Sequence, residues 1–211
     1  RYYFSSNTLS SPYFAHIYLY TNQVNIKGAG KESTVLVSKF NADINLTKPT
    51  ATLAIMNASN VTVSDLTFTA EVPSDKMPVD LDTSKNNPEG NQYAPNSQVV
   101  VMNSDPIEST QNVVIRNCKI SYFQENAVVL NKTQDCRVVD CEISDATDVG
   151  GGGAGYGIQI RGNGFESFSM VGATADSRYN YVANNTLKGP YLRHAIILSY
   201  FERHDLEDKD F

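Results

Sequence analysis

The chain has 211 residues, 41% of them hydrophobic and 19% charged, with a formal net charge of -6. That length can bury one sizeable core, and no apolar run approaches the ~18 residues a membrane span needs. The acidic balance argues against nucleic acid and anionic membrane as partners, since both call for clustered Lys and Arg. No signal peptide is visible, and a chain that begins at Arg1 is expected to be a processed or excised piece.

The opening stretch, residues 1–20, is rich in rings: Tyr2, Tyr3, Phe4, Tyr13, Phe14, Tyr18 and Tyr20. It is expected to cap one end of the core, with His16 as a packing residue. Beyond it one short pattern recurs. It reads Asn60-Val61-Thr62-Val63-Ser64-Asp65-Leu66-Thr67-Phe68, then Asn112 to Ile120, then Asp135 to Ile143, with a looser copy from Tyr181 to Leu187. Before three of the copies lies a second apolar strand, beginning at Leu53, Val99 and Ala127, and the segments from Gly157 and Ala195 look like the same strand in later coils. Self-similarity at a roughly constant spacing marks stacked repeats that bury their faces against their neighbours. Stretches of helical period between the strands are missing, so βαβ units are not expected. The expected fold is all-β, a parallel β-helix (solenoid) of one domain over 1–211. Residues 21–200 form the coils and 201–211 a charged tail.

Asp65, Asn117, Asp140 and Asn184 hold the same place in their copies. Asn and Asp accept left-handed backbone geometry, so these residues are expected to bend the strands and to stack as a polar ladder. Cys118 and Cys141 also hold equivalent places, about 4.8 Å apart if in register. With three cysteines a complete disulfide framework is excluded. A buried thiol ladder is favoured, with a disulfide as the alternative, and no metal site is expected there without nearby His.

Residues 70–97, 145–156 (with Gly150-Gly151-Gly152-Gly153) and 162–178 (with Phe165 and Phe168) break the period. Long loops on a rigid scaffold are the usual place for function.

Val24-Asn25-Ile26-Lys27-Gly28-Ala29-Gly30-Lys31-Glu32-Ser33-Thr34-Val35-Leu36 resembles the early-coil signature of pectate-lyase-like right-handed β-helix proteins. The resemblance implies a right-handed parallel β-helix, and a substrate groove along one sheet flanked by turn loops. It does not select a function, because that superfamily holds lyases, hydrolases, epimerases, tailspikes and adhesins. If Ile158 and Ile160 point inward, Gln159 and Arg161 point outward. One outward column then reads Ile55, Val101, Val129, Gln159 and Ile197; the next reads Asn57, Asn103, Asn131, Arg161 and Ser199. The first is too apolar for a wet floor, so loop 70–97 covers it or it is an interface.

Asn180 to Leu187, leading to Leu192-Arg193-His194, resembles the alginate- and chondroitin-lyase branch, which carries an N-x-x-x-x-N run and an R-H-G signature. The branch's Gly is Ala195 here, and its catalytic Lys falls near Asp176. The resemblance implies Arg193 as the assisting residue with His194 beside it; Lys188 and Arg161 complete the candidate catalytic set. Elimination from a uronic acid needs a base at C5 and a cation on the carboxylate. Lys or Arg can serve, or Ca2+ on oxygen ligands; Asp140, Glu142, Asp145 and Asp148 are the acidic candidates, with a solvated surface the favoured reading. Gln159, Tyr156, Tyr191 and Tyr179 are the candidate substrate-binding residues, and Tyr122, Phe123 and Phe165 further turn-side rings. Carboxylate pairs of polygalacturonase type, nucleophile elbows, phosphate loops and zinc spacings are absent.

The expected function is an extracellular or cell-surface module engaging polysaccharide, with lyase activity through Arg193 as its catalytic form. The alternative is a non-catalytic structural or adhesive β-helix. Self-association would run through coil ends or an apolar sheet face.

Overall fold

Short apolar alternations separated by Asn, Asp and Gly give short strands, and strands are nearly all the chain forms. The computed structural model describes residues 13–39, 49–77, 93–104, 108–148, 155–162, 176–189 and 191–199. The expectations for residues 1–12, for most of loop 70–97, for Gly150–Gly153, for Phe165 and Phe168 and for the tail lie outside these residues. Among the described residues the one helical element is a 3-10 turn, Ser74–Lys76. They contain no helix long and apolar enough to cross a membrane.

The first sheet has six strands in the order β1 (Phe14–Leu19), β4 (Thr50–Met56), β7 (Ser97–Met102), β11 (Asn126–Asn131), β15 (Tyr156–Arg161) and β18 (His194–Ser199). The second has five: β2 (Asn25–Lys27), β5 (Val61–Ser64), β9 (Val113–Arg116), β13 (Arg137–Val139) and β16 (Tyr181–Ala183). The third also has five: β3 (Val35–Ser38), β6 (Thr67–Ala70), β10 (Lys119–Phe123), β14 (Glu142–Ala146) and β17 (Thr186–Leu187). A small pair joins β8 (Thr110–Gln111) to β12 (Thr133–Gln134). Neighbouring strands run parallel in every sheet, each pairing with its equivalent in the next repeat. This arrangement is compatible with a parallel β-helix.

The corners follow the expected chemistry. Asp65, Asn117, Asp140 and Asn184 have left-handed φ values of 48° to 60°. A second column just before the second sheet, formed by Gln23, Asn60, Asn112, Asp135 and Tyr179, is left-handed as well. The polar ladder is present in part: Asn117 Nδ2 donates to Asp65 Oδ1 at 2.7 Å and Asn112 Nδ2 to Asn60 Oδ1 at 2.8 Å. In the first repeat Gly28 takes the place of Asp65, and a Cβ there would sit 2.1 Å from Asp65 O. Inside the fifth repeat Asn185 Oδ1 accepts from Cys141 N at 2.9 Å while its Nδ2 donates to Val138 O at 2.8 Å. Asn180 ties Cys136 N and Thr133 O in the same manner.

The core lies between the sheets. It holds Leu53, Ile55, Val99, Val101, Val128, Leu130, Ile158 and Ile160 from the first sheet, Val63, Ile115 and Val138 from the second, and Phe68, Ile120 and Ile143 from the third. Phe123, expected as a ring beside a turn, is fully buried there because its strand points it inward. A polar seam closes the corner between the first and third sheets. Gln98 Nε2 donates to Ser121 O and Tyr122 O at 2.8 and 2.7 Å, and its Oε1 accepts from Thr52 Oγ1, which in turn meets Ser38 Oγ. On β18 the inward columns continue with Ile196 and Leu198, which are 48% and 66% exposed; the core is open at that end among the described residues.

The three cysteines are free and buried. Burial pushes the Cys136 thiol up to about 11. The hydrogen bond between Cys118 and Cys141, with burial added, holds the Cys141 thiol above its ordinary range, and the same bond lowers Cys118.

Two measurements check this description. Asp140→Val, a β-branched residue at a φ of 57°, is expected to cost about 1–2 kcal/mol in urea unfolding, and Asp140→Gly less. A thiol reagent is expected to find no reactive cysteine in the native protein and all three after unfolding.

Candidate functional site

Strand register decides which side chains share the outer face of the first sheet. Val129 pairs with Val100 and Gln159, so the middle column reads Tyr18, Ala54, Val100, Val129, Gln159, Ile197. The next reads Met56, Met102, Asn131, Arg161, Ser199. These replace the expected columns: Ile55 and Val101 lie inward, and Asn57 and Asn103 lie one residue past Asn131. The physical reason is that both faces of this sheet are dry. Ala54, Val100 and Val129 are as inaccessible as the core. A strand apolar on both sides carries no alternation from which parity can be read. The apolar outer face is therefore buried within this chain.

Arg161 belongs to that buried face, at 6% exposure. Its Nε donates to Gln159 Oε1 at 2.7 Å and its Nη1 to the Tyr13 hydroxyl at 3.2 Å. Gln159 Nε2 donates to Ser199 Oγ at 2.8 Å, and Ser177 Oγ to Arg161 O at 2.6 Å. Burial raises the Tyr13 phenol, with the Arg161 charge opposing. Burial also raises the Glu125 carboxyl, against the pull of Arg161, and the charge of Asp148 adds to the rise.

Arg193 and His194 are exposed. Both backbone N–H groups point at Gly155 O, at 2.7 and 3.3 Å. Gly155 has a φ of +74°, and a Cβ on it would come 2.7 Å from Tyr191 O, so the turns close tightly over a residue without a side chain. The His194 ring stacks on Tyr156 with centroids 5.4 Å apart and planes 30° apart. Tyr191 is half-buried against the core, and Tyr179 is 75% exposed at its left-handed corner. Lys188 is exposed at the end of the third sheet, its N–H bonded to Ile143 O at 3.0 Å.

The structure thus stacks His194 on Tyr156, with Arg193 one residue before His194 in the chain, and separately joins Gln159 to Arg161. It does not join the two groups at the backbone. Arg161 pairs with Ser199, and Arg193 precedes that residue by about 20 Å of strand. No family model, curated protein or solved structure matches this chain.

Two of the acidic residues beside the glycine loop are held by other side chains. Lys31 forms an ion pair with Glu142, and Ser144 Oγ donates to Asp145 Oδ2 at 2.7 Å. No group of three or more His, Cys, Asp or Glu among the described residues is placed to hold a metal.

Sequence reasoning missed Ser97, Glu125 and Asn126. Ser97 and Asn126 start the strands that run into Val99 and Val128, and Glu125 is the residue before Asn126; attention to the apolar runs passed over these polar residues ahead of them. Asn96 Nδ2 donates to Glu125 Oε1 at 2.9 Å. Asn126 aligns with Ser97 on one side and Tyr156 on the other.

Because the Glu125 carboxyl is raised in the fold, native protein holds its proton above the usual carboxylate range, and stability falls as pH rises through that window. Glu125→Gln is expected to remove this contribution, so the melting-temperature difference between variant and wild type grows in the variant's favour from pH 4 to pH 7.

Proposed function

We propose that the chain is a right-handed parallel β-helix of pectate-lyase-like kind, and that it engages polysaccharide at the cell surface or outside the cell by binding. Handedness is supported by the near-universal right hand of crossovers between parallel strands of one sheet, together with the Val24–Leu36 signature. The observation that carries the binding reading is the Tyr156–His194 stack beside exposed Arg193. Two stacked rings offer a flat apolar face to a sugar ring. Arg193, the exposed residue before His194, adds a guanidinium, a forked donor for hydroxyl or carboxylate oxygens. That local cation offsets, at short range, the repulsion a net charge of -6 exerts on an acidic polymer.

Elimination is the weaker form of this reading. It asks for a base and a neutralising cation on one uronate. Arg161 is hydrogen-bonded and buried under the outer face. Arg193 and His194 would then have to carry both roles. Of the four carboxylates beside the glycine loop, Glu142 is engaged by Lys31 and Asp145 by Ser144.

Calorimetry against alginate, pectate, glycosaminoglycan and neutral glycan oligosaccharides is expected to find a binder. Tyr156→Ala should weaken it by about tenfold, and Arg193→Ala should weaken an acidic one more than a neutral one. Ultraviolet absorbance should stay flat during incubation. A rise abolished in Arg193→Ala would establish the lyase instead, and folded protein that binds none of the panel would favour the structural, adhesive role.

A further inference from the structure

The outer face of the second sheet differs from that of the first: it is wet. Its side chains alternate with the core residues Val63, Ile115 and Val138, so one outward column includes Lys27, Ser64 and Arg116 and the next Val114, Arg137 and Tyr181. Lys27, Arg116 and Arg137 are exposed, and so is the Tyr181 ring, at 57%. None of the three cations takes part in an ion pair among the described residues, where the pairs belong to Lys31, Lys39 and Lys76. No carboxylate stands on any of the five strands.

The acids nearest this face lie in its two left-handed corner columns, Asp135 on one side and Asp65 and Asp140 on the other. Asp65 is already engaged, accepting from Asn117 Nδ2 at 2.7 Å and from Ser64 Oγ at 2.9 Å. Those two bonds hold its carboxyl below the ordinary range, and the charges of Lys27 and Arg116 add to the effect. The face is therefore positive along its middle and acidic only at its rims.

Strand geometry sets the spacing. Lys27 and Arg116 stand two strands apart in one column, about 10 Å at the backbone. Arg137 lies one strand further and two residues back, about 8 Å from Arg116. Tyr181 is its register neighbour on the last strand. The line crosses the strands, along the direction in which the repeats stack, with charge at nearly even steps and a ring at its end. A compact anion meets one of these cations; a polymer charged on successive units meets all three. The Tyr181 ring offers an apolar face to a sugar, and each guanidinium a fork to a carboxylate. Nucleic acid asks for a denser cationic field than three side chains on a chain of net charge -6.

We propose that the outer face of the second sheet, through Lys27, Arg116, Arg137 and Tyr181, is a second binding surface, for a linear acidic polysaccharide lying along the stack of repeats. This rests on the polysaccharide-binding reading and adds a surface apart from the Tyr156–His194 stack, one that selects acidic over neutral chains.

The test is calorimetry at low and high salt with galacturonate and mannuronate hexamers, a glucose hexamer and a single-stranded DNA oligonucleotide. Tyr156→Ala, which removes one ring of the stack, is the background. In it we expect a uronate hexamer to keep binding with strong salt dependence. Adding Lys27→Gln, Arg116→Gln and Arg137→Gln should weaken that binding by at least about tenfold and flatten its salt dependence. Tyr181→Ala should weaken it about fivefold, and neither change should alter glucose-hexamer binding. If the multiple variant does not fold, as judged by thermal unfolding, Arg137→Glu in the same background decides. Uronate binding unmoved by these cation changes overturns the surface, as does its complete loss in Tyr156→Ala alone; both leave the Tyr156–His194 reading standing. DNA bound more tightly than either uronate hexamer also overturns it. Binding of no hexamer by folded wild type overturns both readings.

Discussion

Everything in this protein depends on one requirement: each strand must present its backbone groups in register to the equivalent strand of the next repeat. No repeat forms a sheet by itself, since the partners of a given strand are always in the repeats before and after it. That requirement fixes where the chain may turn. The two left-handed columns lie at matched positions, because a corner displaced by one residue in one repeat would rotate every following side chain to the opposite face. Insertions are consequently confined to the turns, and the interior carries the same apolar columns from repeat to repeat.

The corners were the most legible part of the sequence. Asn and Asp at Asp65, Asn117, Asp140 and Asn184 stand out because few other residues accept their backbone geometry. The stacking of Cys118 on Cys141 followed from the same alignment. The outer face of the first sheet was not legible. Runs such as Ala127-Val128-Val129-Leu130 are apolar on both sides and carry no parity of their own, so columns drawn from an inward Ile158 and Ile160 set Asn131 beside Asn103, whereas it aligns with Met102. Arg161 looked like an exposed cation for the same reason. Charge in a sequence says nothing about cover, and here the guanidinium is enclosed with Gln159 and Tyr13 as partners.

The candidate site was half legible. Arg193 and His194 were found through a local resemblance, and Tyr156 as a ring beside a turn. Their convergence depends on the tight closure over Gly155, which no local pattern announces. Ser97 and Asn126 were invisible because each is an ordinary polar residue at a strand start. Only the fold, which buries them side by side without hydrogen-bond partners, sets them apart.

A contact between Tyr13 and Arg161 has a consequence for how the chain assembles. A stack in which each repeat touches only its neighbours can begin anywhere and lengthen or shorten one unit at a time. The Tyr13 hydroxyl, however, reaches a guanidinium 148 residues later, from the residue just before the first strand of the first sheet to the fifth strand. That bond closes only after the strands between them have been laid down in order. It acts as a latch across the stack: loss of an inner repeat also releases the outer pair, and unfolding of the first five repeats is made more nearly all-or-none than a one-dimensional array would allow.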